Sequence, residues 1–245
     1  ALRELVDASV LTTVPADQLR AAAADARAVT ARLAAAQRPV TQLPALDDPL
    51  VFRRVYNPVS GVGSALAPPV RIRRVEVGVV GEALLGPAYE GPPGYVHGGM
   101  SSRLMDQLLG SAAIAEGLWG MTVHLEVDYR RPVPLSTPLT MRAQIAEAAG
   151  RTCVVTGTIA TTAAPDRTLV EARGVFVMPR EELRADYFGA ITDASGQHRP
   201  PGRPTARPYA SAVPSARLFA LTALAMSSSV PSEWSRTARS VARLM

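Results

Sequence analysis

The sequence predicts an α+β fold in which one long helix lies against an antiparallel β-sheet. Three observations predict it. From Gly99 to Glu116 apolar residues recur at helical spacing, and Gly117 and Gly120 stop the pattern. Four alternating runs follow, near 121–129, 139–147, 151–161 and 168–178. The connections at Ala148-Ala149-Gly150 and Pro165-Asp166-Arg167 are short. A parallel crossover needs about a dozen residues, so such connections force antiparallel neighbours. A sheet of this kind buries one face against the helix.

Three zones divide the chain: a helical extension over 1–66, the α+β domain over 67–182 and a low-order tail over 183–245. In the first, an alanine-rich helix starts near Pro15, a residue favoured at a first helical position. Leu19, Ala22, Ala26, Val29 and Leu33 form a stripe on it, apart from Arg20, Asp25 and Arg27. Such a helix is expected to pack on the body; the sharper alternative is a partner-binding helix. Val75, Val77 and Val79 alternate with polar or small residues and predict a strand. Gly86 to Gly94 is turn-rich. On the long helix, Leu104, Met105, Leu108, Leu109 and Ala112 make the apolar surface expected to face the sheet. Met121, Val123, Leu125, Val127 and Tyr129 share one strand face, and Leu139, Met141, Ala143 and Ile145 share another. In the tail, Arg199 to Pro208 reads as an extended Pro/Arg-rich linker, with a weak PxxP spacing from Pro201 to Pro204. Ser215 to Met226 permits a short helix.

Composition excludes several function classes. The 245 residues are 47% hydrophobic, ample for a core. One cysteine, Cys153, rules out a disulfide framework and sits in an apolar run expected to be core. No apolar run approaches the roughly 18 residues of a membrane span, and no basic start precedes an apolar stretch. A soluble cytoplasmic protein is the expectation. All basic residues are arginine, which with the many alanines and prolines suggests a GC-rich bacterial genome. Residues 186–245 carry seven arginines against three acids, so most of the net +5 lies in the tail. The near-neutral body does not suggest nucleic-acid binding.

The chemistry concentrates in Gly91-Pro-Pro-Gly-Tyr-Val-His-Gly-Gly99 and the helix behind it. The first amides of a helix lack internal partners and carry the positive end of its dipole, so they suit a group developing negative charge. Asp106 lies seven residues beyond Gly99, close to two turns, and returns to the same face. Ser102 and Gly110, four residues to either side, are small. This leaves room for a substrate or a partner chain. Helix geometry alone is equally served by a solvated or interfacial aspartate.

His97-Gly98-Gly99 followed by Asp106 resembles the active-site signature of PaaI-type hotdog-fold acyl-CoA thioesterases. The likeness is closer to the subgroup of animal mitochondrial long-chain thioesterases. It runs from Glu90 through Val127-Asp-Tyr-Arg-Arg-Pro-Val-Pro134 to about Met178. The resemblance implies a hotdog fold, the helix wrapped by the curved sheet, with two subunits pairing sheets edge to edge. A homodimer or a dimer of dimers would then form the site at its interface, the His-Gly-Gly turn from one subunit and the aspartate from the other. The amide of Gly98 or Gly99 would polarise the thioester carbonyl of an acyl-CoA. Asp106 would act as general base on water or as nucleophile, a choice the sequence leaves open. Thr122 matches a hydroxyl that positions the water or the carboxylate, and His97 would orient the turn. Coenzyme A enters only as part of the substrate; no separate cofactor or metal is implied. Asp128, Arg130 and Arg151 match positions that contact the ligand. The chain departs from the pattern twice. Gly91 stands where some members carry asparagine, and Asp128 puts a charge where the family often has a neutral amide.

Other readings compete. A hotdog dehydratase or hydratase pairs a carboxylate with a histidine at other spacings, yet no histidine follows Asp106 until His124 on a strand. A non-catalytic acyl-CoA-binding regulator would not need a base beside the carbonyl. His124, Glu126 and Asp128 are also explained by a solvated sheet face. Histidines at 97, 124 and 198 with one distant cysteine offer no metal-ligand spacing. Gly99-Met-Ser-Ser-Arg103 lacks the final glycine of a nucleophile elbow, and Gly61-Val-Gly63 lacks the features of a phosphate loop and reads as a turn.

Overall fold

The computed structural model describes residues 1–39, 54–180 and 182–183. Helices α1 (Leu2–Leu11) and α2 (Ala16–Ala34) precede strands β1 (Val70–Arg74) and β2 (Val79–Leu84). A short 3-10 turn, Pro87–Tyr89, leads to the long helix α3 (Gly98–Ala115). Strands β3 (Met121–Tyr129), β4 (Pro138–Ala149), β5 (Thr152–Thr161) and β6 (Ala164–Val177) complete the fold. All six strands form one antiparallel sheet in the order β1-β2-β4-β5-β6-β3, so β1 and β3 are its edges.

Helix α3 lies across every strand of this sheet. Its apolar surface is the expected one: Leu104, Met105, Leu108, Leu109 and Ala112 are all buried. They meet Leu139, Met141 and Ala143 of β4, Val155 and Ile159 of β5, and Val170, Ala172 and Phe176 of β6 in one core cluster. Removing a side chain such as Leu108 from water contributes roughly 2 kcal/mol. The helix ends at Gly117, whose φ of 77° and bond to the Ile114 carbonyl close its last turn. Cys153 is buried in the core, as its apolar run predicted.

Three expectations fail, each for a physical reason. Val75, Val77 and Val79 are not one strand: residues 75–78 turn between β1 and β2, closed by the Val75 amide on the Gly78 carbonyl. Gly78 adopts φ 75°, a conformation that valine resists, and Val77 is exposed. Alternation by chance across a turn mimicked a strand. The β5–β6 connection is Thr162–Ala163, so Pro165, Asp166 and Arg167 lie inside β6 near its exposed start. Helix α2 forms as predicted but buries none of its residues in the described chain, and Leu33 is 66% exposed. Its stripe does not pack on the body. Instead α1, absent from the sequence reading, docks beside the 3-10 turn, with Arg3 donating to the Ala67 carbonyl at 3.3 Å. The expected linker at 199–208 and short helix at 215–226 lie outside the described residues.

Candidate active site

The segment before α3 is held by its own backbone. The Gly94 amide donates to Glu90 Oε1 at 2.8 Å, the Val96 amide to the Val133 carbonyl and the His97 amide to the Tyr89 carbonyl. A Cβ on Gly91 would stand 2.7 Å from His97 Cα, so this backbone admits no side chain there. The departure at Gly91 is therefore built into the local path, and an asparagine could not be accommodated without moving His97.

His97 is the N-cap of α3, and its Nδ1 accepts the Gly99 amide at 3.0 Å. This occupies one of the two glycine amides. The Gly98 amide has no hydrogen-bond partner among the described residues. Of the two candidates for carbonyl polarisation, the geometry leaves Gly98 available at the positive end of the helix.

Asp106 is half-buried on α3, and its Oδ1 accepts the Thr122 hydroxyl at 2.8 Å. A local irregularity of β3 makes this contact. Thr122 pairs with Phe176 and His124 with Val175, so two residues advance on β3 for one on β6 and Val123 is a bulge. In a regular strand Thr122 and Tyr129, seven apart, would face opposite sides. The bulge turns Thr122 to the side of Tyr129, towards α3. Neither the bulge nor its effect was readable from alternation, which put Val123 on the inner face.

Eight residues of helix separate Gly98 from Asp106, about 12 Å along the axis. One copy therefore holds its free amide and its carboxylate too far apart to act on a single carbonyl carbon. The ligand candidates divide in the same way. Arg130 pairs with Glu171 Oε2 at 3.0 Å and Asp128 Oδ2 at 3.4 Å, near the His97 end of the site. The Glu171 hydrogen bond, then the charges of Glu171 and Asp128, hold its guanidinium above the ordinary arginine range. Arg151 lies at the opposite end, where it donates to the Met178 carbonyl at 2.8 Å, and Met121 shares the partner Val177 with Thr152.

Three further side chains stand at the site to which the sequence reading gave no role. The Tyr129 hydroxyl donates to the Gly98 carbonyl at 3.1 Å, and Ser102 Oγ approaches the same oxygen at 3.4 Å. Gln107, beside Asp106, accepts from Asn57 Nδ2 at 3.0 Å. Only the inward parity of Tyr129 hinted at such a role. A hollow of about 580 Å³ is lined by Arg131 and residues 163–168; His97, Asp106 and Thr122 do not line it. No three His, Cys, Asp or Glu side chains among the described residues are grouped to hold a metal ion. No helix among them is long and apolar enough to cross a membrane.

Comparison with known proteins adds an independent line. The model of the thioesterase superfamily matches residues 93–162, a stretch that includes every candidate site residue. The crystal structure of a thioesterase superfamily protein aligns at 31% identity and a TM-score of 0.59, covering 72% of this chain and 95% of that one. Acyl-coenzyme A thioesterase THEM4 of Rattus norvegicus is 35% identical over 89 residues, 36% of this chain and 37% of the relative. The protein of the same name from Xenopus laevis is 36% identical over 66 residues, 27% of this chain and 30% of its own length. The matches thus span 37% and 30% of these two relatives' own lengths.

Proposed function

The chain belongs to the thioesterase superfamily, and from that premise we propose that it hydrolyses an acyl-CoA thioester to a free acid and coenzyme A. The observation that carries the reading is a free amide at the start of α3 on the same helix as a carboxylate oriented by Thr122. The Gly98 amide would bind the thioester oxygen as it becomes an oxyanion. Asp106 would take a proton from water as the water oxygen bonds to the carbonyl carbon. Collapse of that intermediate breaks the carbon–sulfur bond and releases the CoA thiolate. In the alternative route the carboxylate itself attacks, giving an anhydride that water then opens. The relatives named acyl-coenzyme A thioesterase support the substrate class.

The 12 Å gap along α3 supports a site shared between two copies, the turn from one and Asp106 from the other. Edge strand β3 suits that pairing, because no other strand among the described residues lies on its outer side. A homodimer built this way brings the Arg130 end of one copy to the Arg151 end of the other. Two arginines would then face the phosphates of one coenzyme A, with Arg130 exchanging its carboxylate partners for phosphate. A fold that depends on no disulfide is compatible with a cytoplasmic setting.

The test is thiol release from a panel of acyl-CoAs, short to long and aromatic, with wild type and Asp106→Asn. Wild type should cleave at least one member, and the variant should lose roughly 10²–10⁴-fold in kcat while remaining folded. A wild type that binds acyl-CoA without cleaving it would replace the enzyme with a binding protein.

A further inference from the structure

Strand β3 touches the catalytic helix at its middle and at its start. At the middle Thr122 holds Asp106; at the start the Tyr129 hydroxyl donates to the Gly98 carbonyl at 3.1 Å. Ser102 Oγ lies 3.4 Å from that carbonyl and is also within hydrogen-bond distance of the Tyr129 hydroxyl, where either oxygen can be the donor. The Tyr129 ring stands over Gly98, 3.4 Å from where a Cβ would be.

Consecutive glycines have little preference of their own for a peptide orientation, so the first turn of α3 and its neighbours together aim the Gly98–Gly99 unit. Its two polar ends are both held. The Gly99 amide is fixed by His97 Nδ1 and the Gly98 carbonyl by Tyr129 and Ser102. The Gly98 amide belongs to the preceding peptide, whose His97 carbonyl accepts the Met100 and Ser101 amides; holding the Gly98–Gly99 plane as well fixes the junction at Gly98 and so steadies that amide.

We propose that Tyr129 is a positioning residue for the thioester site, holding the Gly98 carbonyl so that the Gly98 amide points at the oxyanion. This rests on the acyl-CoA hydrolase reading. Tyr129 acts through the backbone and takes no part in proton transfer. Ser102 works in the same cluster, so its effect is coupled to that of Tyr129.

The experiment compares wild type, Tyr129→Phe, Ser102→Ala and the double variant on an acyl-CoA that wild type cleaves. Tyr129→Phe keeps the ring and removes only the hydroxyl. Its kcat should fall roughly 10-fold, because small misplacement of an aligned group is costly in rate. KM should stay within about twofold and the thermal midpoint should not move, since the hydroxyl lies at a half-exposed edge. The double variant should lose less than the product of the single losses. Amide exchange at Gly99, followed by NMR, should quicken in Tyr129→Phe. Unchanged kcat and unchanged exchange in Tyr129→Phe would overturn the positioning role while leaving the hydrolase reading intact. A parallel fall in kcat and thermal midpoint would also overturn it, in favour of a purely structural contact. A wild type that cleaves no acyl-CoA would remove the hydrolase reading and the role of Tyr129 with it.

Discussion

At the scale of single residues, the site depends on which polar groups are already engaged. His97 Nδ1 accepts the Gly99 amide, and this leaves the Gly98 amide without a hydrogen-bond partner among the described residues. Cys153 shows the opposite situation, a reactive group that its surroundings silence. Burial raises its thiol to about 11 from 9.0. Its neutral form is kept in the folded state after an unfolded chain would have lost the proton. Cys153 therefore contributes no pH dependence below about 9, and stability should fall as pH rises from there to about 11. Urea midpoints measured across that window for wild type and Cys153→Ala should show the extra slope in wild type only. That His97, Gly98, Gly99 and Asp106 line up along one helix was legible in the sequence, because their spacing is a property of the chain. Tyr129 was not, because its partner is a carbonyl 31 residues away.

At the scale of elements, one misplaced residue in β3 does the positioning. The bulge at Val123 reverses the parity of the strand start and turns Thr122 to the helix side. Deleting Val123 should restore regular alternation and turn Thr122 away from Asp106. Thr122→Val removes the same bond without moving the strand, and its kcat should fall roughly 10-fold. The deletion should fall at least as far, and adding Thr122→Val to it should cost nothing further. Circular dichroism and kcat together check this. An additive loss in the combined variant would mean that the bulge serves only strand pairing. Helix α3, the meander and the short β4–β5 connection were readable because each has a strong period and a local stop signal. Helix α2 was readable as a helix but not in its placement: an apolar stripe states that a face seeks cover, not what supplies it.

At the scale of the whole molecule, the gap between Gly98 and Asp106 makes a sharp demand. If each site draws on two copies, two inactive variants can complement each other. Gly98→Pro deletes the amide at a first helical position, where proline fits, and follows a residue already extended at ψ 133°. Asp106→Asn removes the carboxylate proposed as base or nucleophile. Each alone should be nearly inactive. Unfolded and refolded together in equal amounts, they should recover about a quarter of wild-type activity, because half of the dimers are mixed and each carries one intact site. Recovery of none, with mixed dimers verified by mass spectrometry, would place both groups of a site in one copy.

By itself the sequence determined the α+β order, the apolar face of α3 and the placing of a His-Gly-Gly turn and Asp106 along one helix. These follow from short-range periodicity and from chemistry within one helix, which no distant contact needs to complete. Only the tertiary structure decided that Thr122 reaches Asp106, that Tyr129 holds Gly98 and that β3 stands at one end of the strand order. Each of these depends on strand order and on the register of β3 against a strand that follows much later in the chain. Alternation along one strand cannot report its register against another.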